Sequence, residues 1–187
     1  MMRIITGCAK GARLIAPKGE HTRPTAERTK EAVFSMLQYE FEGRRVLDLF
    51  AGSGQMGLEA VSRGAALAVL VDGDRAAIDA ITKNANHTRL FDRVRIKQTD
   101  ALAFLDSYKG EPFHLIFLDP PYATDLVSRC LAKITEGGIL AKGGIVVCET
   151  GDPASVFGGD ALLEARFSVL RRSRYGAAHV CLLTQAD

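Results

Sequence analysis

No two of the four cysteines, Cys8, Cys130, Cys148 and Cys181, form a C-x-x-C pair. That spacing argues against a zinc site or a dithiol redox motif and suits free thiols in a reducing compartment. No apolar run is long enough to span a bilayer. The opening Met-Met-Arg-Ile-Ile-Thr-Gly lacks the apolar stretch of a signal peptide, so the expectation is a soluble, cytoplasmic protein with no membrane partner. Repeats and low-complexity tracts are missing, which excludes solenoids and arrays. Net charge is scarce as well: the formal value is +2, too small to point to nucleic acid by itself. What remains is an ordinary globular balance. With 187 residues, 47% of them hydrophobic, the chain can bury a full core without a metal or disulfide staple. One α/β domain with a small appendage fits that length.

The charge is unevenly spread. Between Met1 and Lys30 stand Arg3, Lys10, Arg13, Lys18, Arg23, Arg28 and Lys30, against only Glu20 and Glu27. This segment is a local basic patch on a nearly neutral body, read either as a nucleic-acid contact or as a solvated terminus. Residues 1–25 are rich in Gly, Pro and Thr. They carry two short apolar stretches, Ile4-Ile5 and Leu14-Ile15, with Lys10-Gly11 between them, which predicts a β-hairpin or extended arm rather than core.

Thr25 reads as a helix N-cap, and Ala32, Val33, Met36 and Leu37 recur at helical spacing, predicting a helix over 26–39. Strands are then expected at Val46–Phe50, Leu67–Val71, Val94–Ile96, Phe113–Leu118 and Gly144–Glu149. Helices are expected near 55–64, 75–87, 101–108 and 124–135. Such alternation predicts an α/β fold with a parallel sheet. The end differs: Leu162–Arg174 and Ala177–Leu183, divided by Tyr175-Gly176, read as an antiparallel hairpin closing the sheet edge.

Between the first strand and its helix lies Asp48-Leu49-Phe50-Ala51-Gly52-Ser53-Gly54-Gln55-Met56-Gly57. Gly52, Gly54 and Gly57 fit G-x-G-x-x-G, where glycines permit a tight turn and let a ligand press on the backbone. Asp72, about twenty positions on at the end of the second strand, suits a ribose hydroxyl. The motif alone serves a dinucleotide or S-adenosylmethionine. Asp48 favours the latter, because a carboxylate there attracts a cationic amino or sulfonium group and repels a pyrophosphate. Asp100, in Thr99-Asp100-Ala101, is placed to accept from an adenine amino group. Strand-end solvation and helix capping would explain Asp72 or Asp100 singly, but not the whole series.

Directly after the fourth strand comes Asp119-Pro120-Pro121-Tyr122. A base amino group has two N–H bonds to donate. The Asp119 carboxylate and the Pro120 carbonyl can accept them and so aim the nitrogen lone pair at a methyl group. Tyr122 can stack on a base taken out of its helix. A strand stop would account for Pro-Pro alone. The glycine loop at the first strand makes a catalytic reading the stronger one.

On these residues the chain resembles the RsmD family of 16S rRNA guanine-N2 methyltransferases. The likeness runs through Arg3–Gly7, Lys10-Gly11 with Arg13, Thr22-Arg23-Pro24-Thr25, Arg28–Phe34, Val46–Gly54 with Gly57–Ala60, and Phe117–Tyr122. Asp-Pro-Pro-Tyr is shared by many amino-methylating enzymes, whereas Thr-Arg-Pro-Thr is more specific. The resemblance implies a class I S-adenosylmethionine-dependent methyltransferase fold. Its Rossmann-like, seven-stranded, mostly parallel sheet has an antiparallel last strand and an N-terminal β-hairpin extension. Residues 1–25 would be the RNA-contacting extension and 26–187 the methyltransferase domain. Asp48, Phe50, Ala51, Gly52, Ser53, Gly54, Asp72, Asp100 and Ala101 would hold S-adenosylmethionine. Asp119, Pro120 and Tyr122 would hold the base, and Lys10, Arg13, Arg23 and Arg28 would contact RNA. The substrate implied is 16S rRNA in the small ribosomal subunit or its assembly intermediate, with a monomer as the default state. The sequence departs from the family at Asp72, where Glu is common and where Asp74 could share the role, and at Gln55-Met56, which replaces a smaller or more apolar pair.

Four other functions compete. An NAD-type oxidoreductase shares the glycine fingerprint but leaves Asp48 and Asp119–Tyr122 unexplained, and His21, His87, His114 and His179 are isolated. An adenine-N6 methyltransferase of DNA or RNA also uses Asp-Pro-Pro-Tyr, but the chain has no room for a large target-recognition region. A protein-glutamine methyltransferase would carry Asn at Asp119. A non-catalytic assembly factor has no use for an intact Asp119 and Tyr122.

Overall fold

A computed structural model of the chain describes residues 2–18, 24–122 and 124–186. In chain order the elements are α1 (Pro24–Met36), β1 (Arg45–Asp48), α2 (Gln55–Ser62), β2 (Leu67–Asp72), α3 (Arg75–His87), β3 (Val94–Gln98) and α4 (Ala101–Ser107). Then follow β4 (Phe113–Leu118), α5 (Leu126–Glu136), β5 (Leu140–Thr150), α6 (Ala161–Glu164), β6 (Phe167–Tyr175) and β7 (Ala178–Gln185). The strands form one sheet in the order β3-β2-β1-β4-β5-β7-β6. Strands β1 to β5 pair in parallel, and β7 runs antiparallel to both β5 and β6. The expected single reversed strand is therefore the last one, inserted between its two neighbours rather than at the edge. The edge belongs to β6, whose exposed residues include Arg171, Arg172 and Arg174.

Register divides the sheet into two faces, since side chains alternate along each strand. Val46, Leu70, Phe117, Val147 and Leu182 point to the face covered by α1, α2 and α3. Leu47, Val69, Ile116, Cys148 and Leu183 point to the face covered by α4 and α5. Burial on both faces explains why β1, β2 and β4 read as continuous apolar runs rather than alternating ones. The strand order reverses between β1 and β4. That leaves a crevice beyond their carboxyl ends, where ligands of open α/β sheets bind.

Three local expectations change. The first helix begins at Pro24, so Thr25 lies inside the first turn instead of capping it. Proline's fixed φ suits the first helical position, and its missing N–H costs nothing there. Residues 161–164 form a short helix rather than the start of a strand, because the Asp160 carboxylate caps the Leu162 and Leu163 amides. The N-terminal arm is a hairpin, closed by Ile4 N to Ala12 O and Leu14 N to Met2 O bonds at 2.9 and 3.0 Å. It is not peripheral, however: Met2, Ile4 and Leu14 are buried in the core of the α1–α3 face.

A buried carboxylate anchors that arm. Glu59 on α2 is fully buried and accepts from the Ile5 and Thr6 amides at 2.7 and 3.0 Å. It also meets Lys30 Nζ of α1 at 3.4 Å and Arg63 Nε at 2.8 Å. Lys30 Nζ donates further to the Arg3 carbonyl at 3.0 Å. Burial pushes the Lys30 ammonium below its usual value, while the Glu59 charge pulls it back up. The Arg63 guanidinium stacks on Phe34, 4.8 Å from the ring centroid. One turn further along α2, Ser62 accepts from the Ala9 amide and donates to the Thr6 carbonyl. Gly7 lies so close that a Cβ there would sit 1.8 Å from the Ser62 carbonyl oxygen.

Removing Glu59 strands two cations and two amides. Glu59→Ala should lower stability by about 3–5 kcal/mol, read as an earlier denaturant midpoint, and should expose residues 2–15 to protease. An unchanged midpoint would show that the cluster contributes nothing.

Candidate functional site

The glycine loop leaves β1 and is strapped on both sides, by Leu49 N to Phe117 O and Ala51 N to Val71 O bonds at 3.1 and 3.0 Å. Gly52 and Gly54 both stand at positive φ, 53° and 77°. Gly57 faces β2 so closely that a Cβ would come 2.0 Å from Leu70 Cδ2, which makes it the helix–strand contact of the fingerprint. Asp48 is buried, and its carboxylate accepts from the Gly57 amide at 3.1 Å. Burial, and behind it the charge of Asp72, push its carboxyl up to about 7 against the pull of the Gly57 N–H. Asp72 accepts from the Gly52 and Asp74 amides, both at 2.8 Å. Asp74 is exposed and caps α3 through the Ala76 amide. The Thr99 amide donates to the Asp72 carbonyl and draws the β3–α4 turn alongside. Asp100 in that turn is exposed and caps α4 through Oδ1 alone, at 2.9 and 3.1 Å from Leu102 N and Ala103 N, which leaves Oδ2 for a ligand. Ala101 behind it is buried, Phe50 is half-buried, and Ala51 and Ser53 are buried under the loop.

Asp119 is the first residue beyond β4. It is open to solvent on the crevice side and crowded by protein elsewhere, and its carboxyl is pushed well above the usual range. The first cause is this crowding, followed by the negative charges of Glu149 and Asp48. Pro120 is buried, while Pro121 and Tyr122 are exposed. The Tyr122 ring leans on the Gly151 backbone, where a Cβ would come within 3.2 Å of it. Its hydroxyl donates to Glu149 Oε1 at 2.6 Å. Asp119 and Glu149 line a narrow groove with Lys30, Gln55, Met56 and Phe117. Beyond the Tyr122–Glu149 pair opens a wider cleft of about 500 Å³ bounded by Pro120, Pro121 and Gly151.

Sequence reasoning missed Glu149 and Asn84. A glutamate closing the apolar run Val146-Val147-Cys148 at the same sheet end as Asp119 was the available signal for the first. Asn84, buried on α3, donates to the Ser53 carbonyl and exchanges two bonds with the Ile15 backbone, so it ties the arm to the glycine loop. No local pattern announces it. Of the basic residues, Lys10, Arg13 and Arg28 are exposed, Arg23 lies outside the described residues, and Lys30 is committed to Glu59. Arg3, Lys30 and Gln55 line a depression of about 170 Å³, and Lys30 and Gln55 line the Asp119 groove as well, so the two adjoin. Among the described residues no cluster of His, Cys, Asp or Glu could hold a metal ion, and no helix is long and apolar enough to cross a membrane.

This sheet order, with a glycine loop after β1 and carboxylates closing β1 and β2, defines the class I S-adenosylmethionine-dependent methyltransferase fold. S-adenosylmethionine is the cofactor of that class, and the carboxylates present suit its groups: a buried Asp48 would suit a cation, Asp72 hydroxyls and Asp100 an amino group. The family model described as Conserved hypothetical protein 95 matches residues 2–184, and the chain belongs to that family, the RsmD family. Ribosomal RNA small subunit methyltransferase D of Escherichia coli (strain K12) is 36% identical over 149 residues, covering 80% of this chain and 74% of that protein. YlbH of Bacillus subtilis (strain 168) is 39% identical over 150 residues, covering 79% of this chain and 82% of that one. The solved structure of yhhF from Escherichia coli superposes with a TM-score of 0.84 at 31% identity, over 98% of this chain and 97% of that chain.

A cationic ligand favours ionised Asp48, whereas the free protein holds its proton below about pH 7. S-adenosylmethionine binding at pH 6 should therefore release a proton, and affinity should tighten about eightfold between pH 6 and 7.5. Titration calorimetry in buffers of different ionisation enthalpy reads both effects. Asp48→Asn should bind weakly with no such slope, and a flat wild-type profile would remove Asp48 from the binding equilibrium.

Proposed function

We propose that this chain transfers a methyl group from S-adenosylmethionine to the exocyclic N2 of a guanine in 16S rRNA. Its substrate is the small ribosomal subunit or an assembly intermediate, and it acts as a cytoplasmic monomer. The observation that carries the reading is the placement of Asp119 and Pro120 at the carboxyl end of β4, next to the strand that ends in Asp48. The family's curated relatives from Escherichia coli and Haemophilus influenzae are named for ribosomal RNA of the small subunit, which supports the substrate class.

The cofactor supplies an electrophilic methyl group. Asp48, the loop from Phe50 to Gly54, Asp72, Asp100 and Ala101 hold it. Asp72 takes the ribose role, because it closes β2 at the crevice and its carboxylate lies against the Gly52 amide of the loop. A guanine amino nitrogen is conjugated and weakly nucleophilic. Accepting its two N–H bonds at the Asp119 carboxylate and the Pro120 carbonyl localises the lone pair on the nitrogen. The nitrogen gains the methyl group as the carbon–sulfur bond breaks, and its excess proton passes to Asp119. A carboxyl raised above the usual range is a better base for that proton near neutral pH. Tyr122 stacks on the extruded base. Residues 1–25 serve as an RNA-contacting extension on the methyltransferase domain of residues 26–187; Lys10, Arg13 and Arg23 of the extension, with Arg28 of α1, meet phosphates and set register rather than base identity.

The test is transfer of labelled methyl to small subunits lacking their native modifications, followed by nucleoside analysis. Label is expected in N2-methylguanosine, and label in another nucleoside would overturn the target base. Asp119→Ala should lower the transfer rate by about 10³-fold while the S-adenosylmethionine dissociation constant stays within about twofold. Full activity in that variant would defeat its role.

A further inference from the structure

We infer that Glu149 is the specificity-determining residue that selects guanine, by accepting the N1–H beside the amino group that Asp119 holds. The inference rests on the guanine-N2 reading above and adds to it the group that reads the purine edge.

Strand register places the two carboxylates together. Strands β4 and β5 are parallel with Leu118 opposite Cys148. The next residues, Asp119 and Glu149, therefore leave neighbouring strands about 4.8 Å apart and project to the same face. That face is the one Asp48 uses, since Asp48 pairs with Phe117, two residues before Asp119. Both side chains line the same narrow groove.

Two neighbouring carboxylates form a row of acceptors with no donor when ionised. The edge of guanine that carries N2 is a row of donors: the amino group, then N1–H. The equivalent edge of adenine is an amino group beside a bare N1 lone pair, which would face an anionic oxygen. Glu149 is also held for the task. Tyr122 Oη donates to Oε1 at 2.6 Å, which leaves Oε2 for the base. That hydrogen bond favours the ionised, acceptor form against the burial that disfavours it. The same bond joins the stacking ring to the edge reader, so a base seated on Tyr122 meets the acceptor at one distance.

The decisive substrate is 2-aminopurine, which keeps the amino group at C2 but has an unprotonated N1. Small subunits are assembled on 16S rRNA ligated with guanine or 2-aminopurine at the methylated position, and single-turnover transfer is measured for both. The wild-type protein should prefer guanine. Glu149→Gln can still accept from Tyr122, and its amide can donate to a bare N1. It should compress the guanine to 2-aminopurine rate ratio by about 10- to 100-fold. Tyr122→Phe, which removes the hydroxyl and keeps the carboxylate, should slow both substrates and compress the ratio less than Glu149→Gln does. If Glu149→Gln slows both by the same factor, Glu149 only positions Tyr122 and the inference falls. If the wild-type protein labels N2-methylguanosine but treats both bases alike, the inference falls while the proposed function stands. If ordinary unmodified subunits yield no N2-methylguanosine at all, the proposed function falls and takes the inference with it.

Discussion

A buried negative charge on α2 sets the geometry on which the rest depends. Glu59 has no solvent, so its two oxygens must be satisfied by protein, and they draw in partners from three separate segments. The hairpin gives Ile5 and Thr6, α1 gives Lys30, and α2 itself gives Arg63. An ion cluster of this kind adds little net stability over an apolar one, because desolvation offsets the attraction. Its use here is positional. It holds α1 against α2, and α1 is the helix that walls the Asp119 groove through Lys30 and Val33. The exposed basic side chains of the hairpin thereby stand at a set distance from the chemistry.

The opposite sign of tension runs along the sheet end. Asp48, Asp119 and Glu149 share one face at the carboxyl ends of β1, β4 and β5, and each has its carboxyl raised. Burial is the first cause in all three, and at Asp119 the charges of Glu149 and Asp48 add to it. A cation beside Asp48 and N–H donors before the other two would offset that cost. Each such partner lowers the cost of ionising the site, so an acidic pocket can stand behind a basic outer arm.

Much of this was legible in the chain. Residues 75–87 and Phe113–Leu118 carry periodicity or apolar runs that match α3 and β4 to the residue. The glycine loop and the residues after β4 were readable because their chemistry is encoded in contiguous positions. Three failures share a cause, which is partnership over long sequence distance. The hairpin looked peripheral from its Gly, Pro and Thr content, yet Met2, Ile4 and Leu14 are buried in the core of the α1–α3 face, whose helices come later in the chain. Glu149 looked like a strand terminus until register set it beside Asp119. Asn84 sits mid-helix, where only the Ile15 and Ser53 backbones, from elsewhere in the chain, give it a purpose. At residues 161–164 a local cap by Asp160 outweighed an apolar run too short to decide between helix and strand.

The hairpin's anchorage has a consequence for the order in which the protein is made. Residues 2–15 are synthesised before their partners on α1, α2 and α3, among which Asn84 follows Ile15 by 69 positions. Closing a loop of that length carries an entropic cost that local hairpin bonds do not offset. The basic arm therefore docks only once α2 and α3 exist and the glycine loop ahead of α2 has met Asn84. A nascent chain seats its basic arm in the same folding event that fixes its glycine loop, so a fragment halted before α3 has neither in place.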